Sequence, residues 1–323
     1  MLGGAAAAVA VLIPWLPPSA SKERDRIDFV FWFATVICIG IFAVVAAVIL
    51  YAVLKFRARP EDDSDGPPIH GHTGLEIFWT AVPAFLVTAI AIVSGVVLVK
   101  NSRAGPNPLI VNVTAQQFTW SFSYPSGKNA GSGLLYLPLG RKVELRLNSV
   151  DVIHSFWVPE FGQKQDALPN PPGHYQKLVI TPNKIGTYPV ICTELCGLGH
   201  ALMRSQAIVL KPAAFEAWLA GQGKTATGTG GGAAIFKAQG CGSCHRLAAA
   251  GSTGKVGPDL DKLSAEAKKA GQPLEQFVRT SISDPNAYIE PGYPKGVMPN
   301  FGKILNTAQI DALVKFLTGG EKR

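Results

Sequence analysis

Residues 192–203 read Cys192-Thr-Glu-Leu-Cys-Gly-Leu-Gly-His200-Ala-Leu-Met203, placing two thiolates, an imidazole and a thioether within twelve residues. Soft sulfur with imidazole suits copper, and a weak thioether ligand is a common companion at electron-transfer copper sites. A structural zinc site has no use for Met, and a single copper needs only one Cys. Two Cys spaced C-x3-C, with His and Met close behind, supply enough donors to bridge two metals. The plainer alternative, a reduced Cys pair in a buried loop, leaves the placing of His200 and Met203 to chance.

Working outward, the stretch lies between two short β-branched runs, Thr187-Tyr-Pro-Val-Ile and Ser205-Gln-Ala-Ile-Val-Leu. Upstream come Leu109-Ile-Val-Asn-Val-Thr, Lys142-Val-Glu-Leu-Arg-Leu and Lys177-Leu-Val-Ile-Thr, punctuated by Gly, Pro and Asn. Such runs predict an all-β sandwich or barrel, here over residues 106–212. The metal-ligating stretch then falls on a loop at one end of it, where rigid strands support functional loops.

The chain has 323 residues, 47% of them apolar, and a mean hydropathy of +0.21. That is high for a wholly soluble protein and points to membrane spans. Residues 29–54 and 77–99 carry no charge. As helices both are long enough to cross a hydrocarbon core of roughly 30 Å. Phe29, Phe31, Trp32 and Phe33 at one end of the first run, and Tyr51 at the other, sit where interfacial aromatic belts sit. Residues 21–105 are therefore expected to form a two-helix transmembrane hairpin. Pro83 in the second span is tolerable within a membrane bundle, and Cys38 in the first reads as a small apolar residue. Residues 1–20 end in a Pro/Ser/Ala segment and are expected to be a signal peptide. Basic residues flank both ends of the first span, Lys22, Arg24 and Arg26 against Lys55, Arg57 and Arg59, so charge alone does not orient it. The net charge of +8 is scattered, with no basic run interleaved with aromatics, which argues against nucleic acid as a partner.

Beyond the β region the composition changes. Residues 213–232 read as a linker: a short helix over 213–219, then Gly221-Gln-Gly-Lys-Thr-Ala-Thr-Gly-Thr-Gly-Gly-Gly. A flexible segment of that length spans roughly 17–21 Å. Residues 233–323 are helix-rich, with helices expected over 233–238 and 307–317; the latter puts Ile310, Leu313, Val314 and Leu317 on one face. Between them stands Cys241-Gly-Ser-Cys-His245. C-x-x-C-H is read as covalent haem attachment, with His245 placed to ligate iron. After His245 the chain has no further His and a single Met, Met298. Met/His ligation is an electron-transfer arrangement of high potential. The carbonyl of Pro258, in Gly257-Pro-Asp-Leu, is a candidate to orient His245 by a hydrogen bond. Four of the five Cys thus sit at cofactor spacings, and no disulfide framework is expected.

On these motifs the C-terminal module resembles a class I cytochrome c. Residues from about 25 to 210 resemble cytochrome c oxidase subunit II, and the whole resembles the fused subunit II of caa-type haem-copper oxidases. The resemblance implies a membrane-anchored multidomain protein: the hairpin, an all-β cupredoxin-like CuA domain and an all-α cytochrome c domain. It implies that Cys192 and Cys196 bridge both coppers of dinuclear CuA. His200 and the Glu194 carbonyl complete one copper, and Met203 with an upstream His completes the other. Asp151-Val-Ile-His154-Ser-Phe-Trp-Val-Pro is similar to the family's segment, so that His is assigned as His154; His174, in Pro171-Pro-Gly-His-Tyr, is the alternative. The Glu194 side chain is implied to reach a magnesium shared with the catalytic subunit.

Gln117-Phe-Thr-Trp120 resembles the aromatic patch where electrons enter, but Phe118 stands where Trp is usual and Thr119 replaces an aromatic. Trp120 is equally well explained as core. Glu76, in His70-Gly-His-Thr-Gly-Leu-Glu-Ile-Phe-Trp79, matches a Glu associated with proton uptake in some members. A carboxylate at a helix N-terminus is also explained by the helix dipole, and His70 and His72 by a solvated loop.

The function so implied is electron relay from an external donor, a cytochrome c or an upstream quinol-oxidising complex. The route runs through haem c and CuA to subunit I of a proton-pumping terminal oxidase that reduces oxygen to water, the oxygen site lying in that other chain. Other oxidase subunits and membrane lipid are the remaining partners. The location expected is the bacterial cytoplasmic membrane, with both metal domains outside. Rival readings are a CuA-bearing subunit of a nitric oxide reductase and a membrane-anchored copper-delivery protein, which would need no covalent haem. The quinol-oxidase form is disfavoured because its chains lack the copper ligands intact here.

Overall fold

The computed structural model describes residues 14–57, 66, 68, 70–127, 130–226, 231–303 and 305–319. They divide into two units: the long N-terminal helices, and Ala104 onward together with Ser19–Glu23.

In the first unit, helices α1 (Lys22–Lys55) and α2 (Thr73–Ser102) contain the two expected spans. Both are long and apolar enough to cross a membrane, and side chains such as Phe42, Leu54, Phe85 and Leu98 stand uncovered along them. Arg26 Nη1 donates to Asn101 Oδ1 at 2.7 Å, tying the start of α1 to the end of α2. The pair is therefore an antiparallel hairpin. His72 caps α2: its Nδ1 accepts from the Leu75 N–H at 3.1 Å, and Glu76 Oε1 accepts from the His72 N–H at 3.2 Å. This reciprocal arrangement satisfies donors that a helix start leaves unpaired.

The second unit begins with two five-stranded sheets. One is ordered β3-β2-β1-β5-β8, from β1 (Leu109–Gln116), β2 (Thr119–Tyr124), β3 (Ala130–Ser132), β5 (Val143–Ser149) and β8 (Gln176–Ile180). The other is ordered β4-β10-β9-β6-β7, from β4 (Leu135–Pro138), β6 (His154–Trp157), β7 (Lys164–Ala167), β9 (Gly186–Cys192) and β10 (Arg204–Leu210). Alternation puts Leu109, Val111, Val113 and Ala115 of β1 and Trp120, Phe122 and Tyr124 of β2 inward. Phe156, Val190, Ala207 and Val209 of the second sheet join the same core. The expected β-branched runs are β1, β5, β8, β9 and β10; β2, β3, β4, β6 and β7 emerge only in the structure.

Two boundaries differ from expectation. Residues 1–13 of the expected signal peptide lie outside the described residues, but its last residue, Ala20, is a core residue of the β domain. Its N–H donates to Glu160 O at 2.9 Å, and its carbonyl accepts from the Asn183 N–H at 3.1 Å. Glu23 follows, accepting from Thr181 N–H at 2.6 Å and Thr181 Oγ1 at 3.0 Å. Second, much of the expected linker is helix α3 (Pro212–Ala226). Pro212 opens it without losing a helical bond. Buried Phe215 and Leu219 hold it to the sandwich, and Trp218 stacks on Tyr136 with ring centroids 4.1 Å apart. Apolar anchoring outweighs the cost of Gly221 within the helix. Residues 227–230 lie outside the described ones.

The C-terminal module comprises α4 (Gly232–Ala238), α5 (Leu263–Lys269), α6 (Leu274–Ser283) and α7 (Thr307–Leu317). A two-residue pair, β11 (Arg246–Leu247) with β12 (Ser252–Thr253), qualifies the expected all-α class. Ile235, Phe236, Phe277, Val278, Ile282, Ile310, Leu313 and Val314 form its core. Asn306 and Gln309 cap the start of α7 reciprocally, each accepting from the other's backbone N–H at 2.9 and 3.0 Å.

Candidate metal centres

β9 ends at Cys192 and β10 begins at Arg204, which pairs with Ile191, so the intervening loop leaves and re-enters one sheet at adjacent positions. The Cys192 N–H donates to Met203 O at 3.2 Å, closing the loop's base, and the Thr193 N–H donates to Ser155 O at 2.9 Å, pinning it to β6. Strand β6 pairs antiparallel with β9, Phe156 opposite Cys192, which brings His154 to the same end.

Cys192 Sγ and Cys196 Sγ lie 4.0 Å apart. Around Cys192 stand His154 Nδ1 at 3.9 Å and the Glu194 carbonyl at 3.4 Å. Around Cys196 stand His200 Nδ1 at 3.6 Å and Met203 Sδ at 3.9 Å. A metal–thiolate bond is about 2.3 Å long, so two sulfurs at that spacing can each touch two cations set between them. His154, Cys192, Cys196 and Met203 are buried, and His200 partly so. A soft, shielded donor set with thioether and imidazole fits copper. His174 is exposed in its turn, away from this cluster. The Glu194 side chain is exposed, and Leu195 and Leu198 stand out at the loop tip, 79% and 90% exposed.

Electrostatics separate the two thiols. Burial opposes ionisation of Cys192, but hydrogen bonds from His154 and the Glu194 and Ser155 backbone bring it down to about 6. Burial, then the neighbouring Cys192 charge, pushes Cys196 up to about 12. One thiolate thus forms readily, and the second needs a cation to replace its proton. Burial also acts against a charged His154, yet hydrogen bonds to Cys192 and Asp151 carry it above the ordinary histidine range.

Asp151 was not anticipated as part of this site. Its Oδ1 lies 2.8 Å from His154 Nε2, and its Oδ2 accepts from the Gln117 N–H at 2.7 Å. Gln117 Nε2 in turn donates to the Cys196 carbonyl at 2.5 Å. Asp151 stands three residues before His154, but only the strand pairing shows that it faces the ring. Trp120 is buried in the core, edge-on to the His154 ring with centroids 6.2 Å apart. Phe118 is partly exposed and lies over the ligand loop. A Cβ on Gly199 would fall 2.5 Å from its ring and one on Gly197 3.2 Å away, so both positions require glycine.

In the C-terminal module Cys241, Cys244, His245 and Met298 line one cavity, walled by Phe236, Phe277, Ile282, Tyr288, Phe301 and Leu313. Phe118, Thr119, Leu202 and Arg204 line the same cavity. His245 Nδ1 donates to the Pro258 carbonyl at 2.9 Å. This fixes the ring and leaves Nε2 free as a ligand. Burial depresses the His245 pKa, partly offset by that hydrogen bond, so the imidazole is neutral, as iron ligation requires. Gly257 lies against the ring, where a Cβ would approach to 2.5 Å. Apolar walls, two thiols and an oriented imidazole fit a covalently attached haem.

Three family models match the chain in succession. They are cytochrome c oxidase subunit II, transmembrane domain, over residues 9–97; cytochrome c oxidase subunit II, periplasmic domain, over 130–211; and cytochrome c over 231–320. Cytochrome c oxidase subunit 2 of Alkalihalophilus pseudofirmus is 31% identical over 302 residues, covering 88% of this chain and 84% of its own. The protein of the same name from Synechocystis sp. is 32% identical, covering 64% of this chain and 75% of its own. Among solved structures, the periplasmic domain of subunit II of cytochrome oxidase of Bradyrhizobium japonicum is 26% identical. It covers 37% of this chain and 97% of its own, with a TM-score of 0.35. The matched domains imply CuA copper and haem c, a membrane anchor, an extracellular domain and association with other oxidase subunits. The chain belongs to the cytochrome c oxidase subunit II family, in a form that carries a cytochrome c domain after its copper domain.

Proposed function

We propose that the chain conveys electrons from an external donor, a cytochrome c or a quinol-oxidising complex, to the haem-copper catalytic subunit of a terminal oxidase. When bound, haem c and dinuclear CuA supply one-electron redox chemistry in series, the haem first. The observation that carries this reading is the buried cluster of two Cys sulfurs 4.0 Å apart, with two imidazoles and a thioether against them. Oxygen reduction and proton pumping belong to the partner subunit, and the complex sits in a bacterial cytoplasmic membrane with both metal domains outside.

Individual residues take definite roles in this reading. Cys192 and Cys196 would hold both coppers between them, His200 and the Glu194 carbonyl would serve one, and His154 and Met203 the other. Cys241 and Cys244 would attach the haem through thioethers, and His245 and Met298 would ligate its iron. Phe118, lying over the ligand loop and lining the haem cavity, supports a short route between the centres; buried Trp120 lies behind it. The exposed Glu194 side chain is available to a magnesium shared with the partner. Glu76 at the start of α2 is assigned to proton uptake in addition to its capping bond. The intact copper ligands set the chain apart from a quinol oxidase subunit, and the haem motif from a copper-delivery protein.

Metal and haem analysis of the purified complex tests the reading. Two coppers and one haem c per chain are expected, with the mixed-valence copper signal in electron paramagnetic resonance. Absence of that signal overturns it, and preferential reduction of nitric oxide over oxygen assigns the chain to a reductase.

A further inference from the structure

We propose that Asp151 and Gln117 are positioning residues for the copper centre. Asp151 fixes the His154 imidazole through Nε2, and Gln117 ties that carboxylate to the loop carrying Cys196. The inference rests on the copper reading of the site.

His154 Nδ1 faces Cys192 Sγ at 3.9 Å, so the proton belongs on Nε2, 2.8 Å from Asp151 Oδ1. An ionised carboxylate only accepts, so this contact selects one tautomer and one ring orientation. The carboxylate is itself held: Oδ2 accepts from the Gln117 N–H at 2.7 Å, and Oδ1 from the Val152 N–H at 2.7 Å and Ser149 Oγ at 3.2 Å. Gln117 then uses its side chain on the Cys196 carbonyl. One bracket therefore joins the end of β1, the turn before β6 and the ligand loop. Its two ends bear on ligands from different parts of the chain, His154 on a strand and Cys196 on the loop. A carboxylate behind a ligating imidazole fixes its orientation and raises its basicity, and removing such partners typically costs roughly 10–100-fold in metal affinity. A carboxylate that only capped the turn at residues 149–152 would have no reason to contact the ring, nor would Gln117 to contact Cys196.

The test compares Asp151→Asn and Gln117→Ala with wild type in the purified complex. Asp151→Asn keeps the shape but removes the charge behind the ring. The copper midpoint potential should rise, because a weaker donor stabilises oxidised copper less, while the haem c potential, read in the same titration, stays put. Pulsed paramagnetic resonance should show changed nitrogen coupling at one histidine. Gln117→Ala keeps the backbone N–H to Asp151 and should lower copper affinity, by chelator competition, by roughly 10–100-fold. It carries the test if Asp151→Asn does not fold. Wild-type potential, histidine coupling and copper affinity in the variants overturn the proposal. Loss of the copper signal in wild type itself would instead overturn the underlying reading.

Discussion

The copper loop and the haem module both bring Cys and His together at one place, in contrasting ways. At the copper loop the donors already stand within 4.0 Å of one sulfur or the other. One hydrogen-bonded sheet holds both ends of the loop and carries His154 to it from 38 residues away in sequence. In the haem module Cys241, Cys244 and His245 come from one five-residue stretch and face Met298 only across a cavity walled by small helices. Strand pairing preorganises the first site. The second is a cavity that a large apolar group would fill as part of the core. The copper domain should therefore keep its fold without metal, and the haem module should not keep its own without haem.

The hardest test of that contrast is removal of both haem-attaching thiols. Cys241→Ala with Cys244→Ala should abolish covalent haem and leave the residues beyond α3 sensitive to proteolysis, while the chain keeps two coppers. A protease-resistant module without haem breaks the comparison. Next, His154→Ala should change the mixed-valence signal or lose copper outright, and His174→Ala should leave it as in wild type; the reverse pattern reassigns the ligand. Met298→Ala should have a smaller effect, leaving haem attached while its potential falls and its low-spin spectrum is perturbed. An unchanged potential removes Met298 from the ligand set.

The smallest expected effect sharpens how the sheets hold the copper site. Burial raises the Glu144 pKa, but hydrogen bonds and charge from Arg146 and Lys177 hold it below the usual carboxylate range. A depressed carboxylate stabilises the fold above its ordinary value and loses that contribution as pH falls through the lower folded value. Glu144→Gln should therefore cost about 1 kcal/mol at neutral pH and flatten the acid dependence of the β domain below pH 4.5. Haem absorbance of the C-terminal module, followed in the same samples, should not change.

The sequence alone carries the short-range patterns: the C-x3-C loop, the C-x-x-C-H motif, the lone later Met298 and the two uncharged spans. It also determined β1, β5, β8, β9, β10 and α7, whose apolar periodicity is strong. It did not mark β6 as a strand, since His154–Trp157 is too short to show a period, although it carries His154 to the copper loop. Nor did it show that Ala20 belongs to the β core or that α3 runs through much of the expected linker. Both depend on apolar surfaces supplied by distant strands, Trp218 on Tyr136 being one such contact. The contacts of Asp151 and Gln117 arise from the tertiary fold alone. A carboxylate three residues before a histidine is ordinary in sequence; it reaches the ring here because of the turn into β6. A glutamine in an aromatic stretch becomes a tie to Cys196 only when two sheets bring residues 79 positions apart within hydrogen-bonding distance.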